Sequence, residues 1–140
     1  MTPVPSEIGA IAVGFQTCHR YTISQDIYEH FLAAFRDTNP LHTRDDFARR
    51  RGFPERVMHG VILNGFISHF VGVHFPGENW LLHAVSTQFK TPCHLGDDIL
   101  IEATVTQVVE SVKVIRLDMV LRNVTRNRVA ARAKVQVGAA

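Results

Sequence analysis

Apolar and polar residues follow two different periods along this chain, and the change between them separates a helical half from a stranded half. In the second half Val129, Ala131, Ala133, Val135 and Val137 alternate with Arg128, Arg132, Lys134 and Gln136. Ile115, Leu117, Met119 and Leu121 do the same against Lys113, Arg116 and Asp118. A period of two places one face in a core and the other in water. The pattern predicts strands over 81–91, 98–109, 112–122 and 128–137. Turns at Glu110-Ser111 and Thr125-Arg126-Asn127 are short, which implies an antiparallel meander.

The first half reads differently. Residues 12–21 alternate, with Val13 and Phe15 on one side, and predict a first strand. Ser24 is an N-cap and Asp26 suits the positive end of a helix dipole. Ile27, Phe31, Ala34 and Phe35 then recur at helical spacing, predicting a helix to Arg36 or Asp37. Pro40 forbids its continuation and pushes Asn39 toward extended geometry. Residues 43–52 predict a short polar helix, capped by Thr43 and ended by Gly52, with a connector at 53–58. A longer helix is expected from near Gly60 to just before Pro76-Gly77. It is apolar nearly all round, which predicts burial. No repeat, linker or low-complexity tract interrupts the chain. The expectation is one α+β domain over 1–140, a curled antiparallel sheet wrapped around a long central helix.

Composition narrows the function classes. A 46% apolar chain of this length builds an ordinary core. A formal charge of +2, with arginines that lack interleaved aromatics, does not argue for nucleic acid. The apolar stretch 61–75 carries Asn64, Ser68, His69 and His74, too short and too polar to span a membrane. The first residues contain no basic region followed by an apolar run, so no signal peptide is expected. Cys18 and Cys93 fall in no metal or redox spacing. They are expected to be reduced, buried thiols in a cytoplasmic protein. His69 and His74, five apart, are not expected to share a helix face for a metal, and no phosphate-loop or GxSxG pattern is present.

The informative cluster is Asp37-Thr-Asn-Pro-Leu-His42, followed by His59-Gly60. Asp37 stands at a helix C-terminus, where the dipole disfavours a carboxylate. It is either a solvated residue closing an Asx-type turn or a functional group. His42 lies just past the stiff Pro40-Leu41 step, so the two groups can share one water. Asn39 fixes the turn between them. Gly60 opens the apolar helix, whose first amides have no internal partner and can meet a developing oxyanion. The alternative for Gly60 is close chain packing. His59 is read as support for the turn. Gly60, Asn64, Ser68 and Gly72 recur every four residues, a small or polar stripe facing a pocket or a packed partner. Arg44, Arg49, Arg50 and Arg51 form either a phosphate-meeting cluster or a solvated basic face.

On these residues the chain resembles the MaoC-like, (R)-specific enoyl-CoA hydratases of the hotdog fold. The resemblance rests on Asp37-Thr38-Asn39-Pro40-Leu41-His42, Phe47-Ala48, Gly52-Phe53 and His59-Gly60, with Phe89-Lys90-Thr91-Pro92 and Gly96-Asp97 as later signals. It implies that Asp37 and His42 are a catalytic pair, Gly60 the oxyanion amide and Ser68 a site-lining residue; Asn39, from its place in the turn, and Asn64, from the helix stripe, are further substrate-binding candidates. It implies no metal and no cofactor beyond the coenzyme A of an acyl thioester substrate. It also implies a homodimer whose sheets join side by side, with no nucleic-acid or membrane partner. Arg56 departs from the family pattern, where a proline is common, and is a candidate ligand contact. The alternatives are a dehydratase for carrier-protein thioesters, a non-catalytic acyl-CoA-binding module, and a thioesterase.

Overall fold

The computed structural model describes residues 4–140. Strand β1 (Gln16–Thr22) leads into helix α1 (Gln25–Phe35), then two short helices, α2 (Pro40–Thr43) and α3 (Asp45–Arg50). Helix α4 (Ile62–His69) follows and winds on as a π-helical turn over Phe70–His74. Strands β2 (Trp80–Phe89), β3 (Asp98–Val109), β4 (Val114–Asn123) and β5 (Arg128–Ala139) complete the chain. They form one antiparallel sheet in the order β1-β3-β4-β5-β2. This is the hotdog arrangement, α+β as expected, with the sheet curled about α4.

The packing explains the arrangement. Eight helical residues are too few to hold a helix in water, so α4 is held by what it buries. Ile62, Leu63, Phe66, Ile67, Phe70 and Val71 meet the inner residues Ile99, Ile101, Leu117, Met119 and Val135. Loss of the fully buried Phe70 ring to alanine would cost about 3–5 kcal/mol. At the sheet's far corner Asp97 is buried and accepts from His94 N, Asn123 Nδ2 and Arg126 Nε, at 2.9, 2.8 and 2.8 Å. The Gly96-Asp97 signal is thus a structural corner, with Gly96 at φ +88°. His94 Nδ1–H donates to the Arg56 carbonyl at 2.9 Å, tying that corner to the connector before α4.

Several expectations are corrected. The first strand begins at Gln16, not residue 12, because the chain turns at Gly14 (φ +93°) and leaves Val13 exposed. The polar helix at 43–52 is two helices: Asn39 caps α2, Pro40 is its first residue, and extended Arg44 separates it from α3. Thr43 caps nothing and donates to the Thr38 and Asn39 carbonyls. The central helix is not buried all round, since Val61, Gly65, Ser68, His69 and Val73 face outward. Strand β4 starts at Val114, two residues late, because Glu110–Val112 forms a 3-10 turn that ends at left-handed Lys113. Of the two free thiols only Cys93 is buried; Cys18 lies on the outer face of β1 with Gln16 and Arg20. No helix of the described residues is long and apolar enough to cross a membrane.

Candidate active site

Helix α1 stops because Arg36 turns left-handed (φ 54°), its N–H returning to Leu32 O at 2.7 Å. The reversed chain delivers Asp37 to the N-terminal side of α4. Asp37 Oδ1 accepts from Asn39 N at 3.3 Å, so the Asx turn forms, and its side chain remains about 50% exposed. Asn39 Oδ1 in turn accepts from Leu41 N at 3.0 Å, which starts α2 and sets the direction of His42. Asn39 is exposed and lines neither cavity described below.

The imidazole of His42 is held by backbone. The connector before α4 is pinned between Val57 N and Leu41 O and between Met58 N and Cys93 O, each 2.9 Å. This presents the Val57 carbonyl to His42 Nδ1 at 2.7 Å. A carbonyl only accepts, so Nδ1 carries the proton and Nε2 keeps a free lone pair. The Tyr28 hydroxyl donates to the His42 carbonyl at 2.7 Å, fixing the other side. His59 is 2% exposed, and its Nε2–H donates to the Asp37 carbonyl at 2.9 Å. Side-chain atoms of Asp37, His42 and His59 come within 4.8 Å of one another, close enough to share one water. They could also be read as a metal triad, but the Nε2 of His59 is already committed as a donor.

Gly60 sits where α4 begins. Its amide has no hydrogen-bond partner among the described residues. A Cβ at this position would lie 3.3 Å from the Phe89 ring, so the glycine admits Phe89 against the backbone. Two cavities flank this segment and share no lining residue, Asp37 lining one and His42 the other. A groove of about 700 Å³ runs between α1 and α4, walled by Phe31, Phe35, Val61 and Phe66, with Asp37 and Asn64 as its polar members. A smaller cavity of about 330 Å³ holds His42, Gly60, Phe89, Lys90 and Thr91. The geometry suits proton transfer at one end of an apolar chain whose polar head lies in the second cavity.

The remaining candidates separate. Asn64 Oδ1 accepts from Thr87 Oγ1 at 2.7 Å, leaving its amide group toward the groove. Ser68, one turn on, is exposed and lines neither cavity. On α4, Phe66 lines the groove and Leu63 the smaller cavity, while Ile67 and Phe70 point into the core. Arg56 turns from the site: its guanidinium lies over the Tyr28 ring at 5.0 Å and beside Asp45 at 4.0 Å. Arg44 and Arg50 pair with Asp46, at 2.7 and 3.6 Å, which holds that carboxyl below its usual range, and Arg51 covers Phe47. The Val57 carbonyl had no signal in the sequence, because any residue supplies one. Phe89 had one, its place in the Phe-Lys-x-Pro signal.

Comparison with known proteins bears on the family and the fold. Residues 9–128 match the profile of the MaoC-like domain. An (R)-specific enoyl-CoA hydratase from Rhodospirillum rubrum is 36% identical over 92 residues, 66% of this chain and 64% of that protein. A mitochondrial 3-hydroxyacyl-[acyl-carrier-protein] dehydratase from Arabidopsis thaliana is 34% identical over 77 residues, 55% of this chain and 45% of that protein. The chain thus spans about half to two thirds of the length of these relatives. Among solved structures, the (R)-hydratase from A. caviae involved in PHA biosynthesis superposes with a TM-score of 0.85 at 24% identity, covering 94% of this chain and 98% of that one. With 120 of its residues matched by one family profile and the same fold in the A. caviae structure, the chain belongs to the MaoC-like domain family.

Proposed function

We propose that the chain adds water reversibly to a trans-2-enoyl thioester, giving an (R)-3-hydroxyacyl thioester. The observation that carries this reading is a carboxylate and an imidazole with a free Nε2 gathered beside the unpaired amide of Gly60. His42 Nε2 takes a proton from a water aligned by the Asp37 carboxylate as hydroxide adds at C3. The same proton, carried on the imidazolium, passes to C2, so one water enters and both groups return to their starting state. Gly60 N–H holds the thioester oxygen as it gains charge, an interaction worth roughly 3 kcal/mol in comparable sites. The acyl chain lies in the apolar groove. The coenzyme or carrier arm is part of the substrate, and the reaction so written needs no redox cofactor or metal.

The likeness to an (R)-specific hydratase supports the stereochemistry, and both free thiols agree with a cytoplasmic location. Strand β2 supports a homodimer. It is an edge of the sheet, ten residues long, with Leu81 and Leu82 exposed. Such an edge is a template for pairing with a second copy. The likeness to a carrier-protein dehydratase favours a second reading, the reverse reaction on carrier-bound thioesters.

The deciding experiment follows loss of enone absorbance over a panel of trans-2-enoyl-CoA lengths and the matching carrier-protein thioesters, with chiral analysis of the product. Turnover to the (R)-alcohol is expected. Binding without turnover would make the chain a binding module, and release of free thiol would make it a thioesterase.

A further inference from the structure

We infer that His59 is the positioning residue that locks the two proton-transfer groups into one frame. The inference rests on the hydratase reading and adds a role for a side chain that is buried behind the pair and acts through it.

His59 is the contact that Asp37 and His42 share. Its Nε2–H donates to the Asp37 carbonyl at 2.9 Å, and the same nitrogen lies 4.0 Å from the Asp37 carboxylate. Its ring packs at a tilt against His42, centroids 4.1 Å apart and 33° between planes. On its other sides lie Phe31 at 4.7 Å and Tyr28 at 6.0 Å, both on α1. Asp37 follows α1 directly and His42 is clamped through its carbonyl by Tyr28, so every element that carries the pair is in contact with this one ring.

The orphan nitrogen strengthens the case. His59 Nδ1 is the buried side-chain polar atom without a partner among the described residues. A buried acceptor left unpaired is unfavourable, and native structures keep few of them. A phenylalanine would fill the same space among Phe31, Tyr28 and His42 without that penalty. What it would lose is the donor to Asp37. The imidazole is therefore retained for its Nε2–H and its flat face: one sets the height of the carboxylate-bearing turn, the other the plane of His42.

The test uses two variants of the full chain. His59→Phe keeps the packed ring and removes the donor; His59→Gln restores a donor at similar reach. With a turned-over enoyl-CoA, His59→Phe is expected to lower kcat at least tenfold with KM within about twofold of wild type and little change in Tm, and His59→Gln, which restores the donor without the ring, to recover part of that loss. Retained kcat in a folded His59→Phe variant, or loss of kcat that the glutamine does not recover, would overturn the inference. Asp37→Asn is run alongside: an inactive wild type sinks the hydratase reading itself. In that event imidazole ¹⁵N spectra decide the matter without turnover. His59→Phe is expected to shift the Asp37 amide and His59→Gln, which lacks the ring, to broaden or split the His42 ring signals; unchanged signals would overturn the role.

Discussion

At the N-terminal end of α4, His42 and His59 each donate a ring N–H to a backbone carbonyl, of Val57 and Asp37. At its C-terminal end His69 and His74 instead share hydrogen bonds with the hydroxyls of Tyr21 and Thr17, at 2.9 and 3.0 Å. His19 lies between those two, 5.9 and 4.9 Å from their rings. A carbonyl only accepts, so the first pair has a single tautomer each. A hydroxyl donates or accepts, so the Tyr21 bond leaves the His69 proton unassigned, while His74 is faced by the Cys18 backbone as well as by the Thr17 hydroxyl. The N-terminal pair lines the smaller cavity, whereas the tail set borders the open edge of β1. Five imidazoles around one helix therefore teach that histidine chemistry is set by what holds the ring, since number and proximity alone are similar at both ends.

The strongest way to break that contrast is to remove the proton-transfer groups. Asp37→Asn and His42→Ala are each expected to lower kcat by about a hundredfold to ten-thousandfold with the fold intact. Steady-state hydration of an enoyl-CoA, with circular dichroism as the folding control, reads this out; near-normal turnover in either variant would remove the distinction between the two ends.

Gly60→Ala gives a smaller effect. The added Cβ meets the half-exposed Phe89 ring at 3.3 Å, so that ring must give way, at about 1 kcal/mol, the low end for overpacking. A several-fold loss in kcat/KM is expected, with recovery when Phe89→Leu is added. Failure of the second substitution to recover activity would show that Gly60 acts through something other than this approach.

The tail group is expected to show itself in stability instead of turnover. Burial, and then the neighbouring His19, lower the His74 pKa below the ordinary imidazole value, with His69 adding to the effect and the Cys18 backbone opposing it. The unfolded chain then binds the proton first as pH falls. The contribution is fully present above about 6.5, the ordinary histidine value, and is lost as pH drops toward the folded-state pKa. Tm measured from pH 7.5 to 5 should fall less steeply in His74→Gln, while kcat at neutral pH stays within twofold. An unchanged slope would remove the assigned cause.

The smallest expected difference separates the two thiols. Cys93, in the smaller cavity with His42, is pushed up to about 11 by burial and by the Asp97 charge. Cys18, next to His19 in sequence but on the opposite face of β1, is exposed. One equivalent of a disulfide reagent should react in the native protein and a second only on denaturation; two fast equivalents would contradict the buried corner.

What could be read in advance follows the reach of each interaction. Strand β3 falls at 98–109 as the alternation predicts, because a strand with one buried face needs no other information. The Asp37–His42 turn is legible for the same reason: six residues contain its cap, its proline and both side chains. The tail histidines defeat the spacing rule. A helix of 3.6 residues per turn puts residues five apart on different faces, but Phe75 N returns to Phe70 O across a wider π turn, and His69 and His74 both reach His19. Cys18 departs from expectation through the phase of β1, whose inner residues are Thr17, His19 and Tyr21. The groove walls and the Thr87–Asn64 bond join segments far apart in the chain, and no local period carries that information.

The Val57 carbonyl that orients His42 has an evolutionary corollary. Main-chain oxygen is common to all twenty residue types, so position 57 can drift in side-chain identity while the proton on His42 stays at the same nitrogen. The Thr17 and Tyr21 hydroxyls offer no such protection, since one codon change deletes either of them. Mutational tolerance should therefore be highest, against intuition, in the very segment that dictates the protonation pattern of the reacting imidazole.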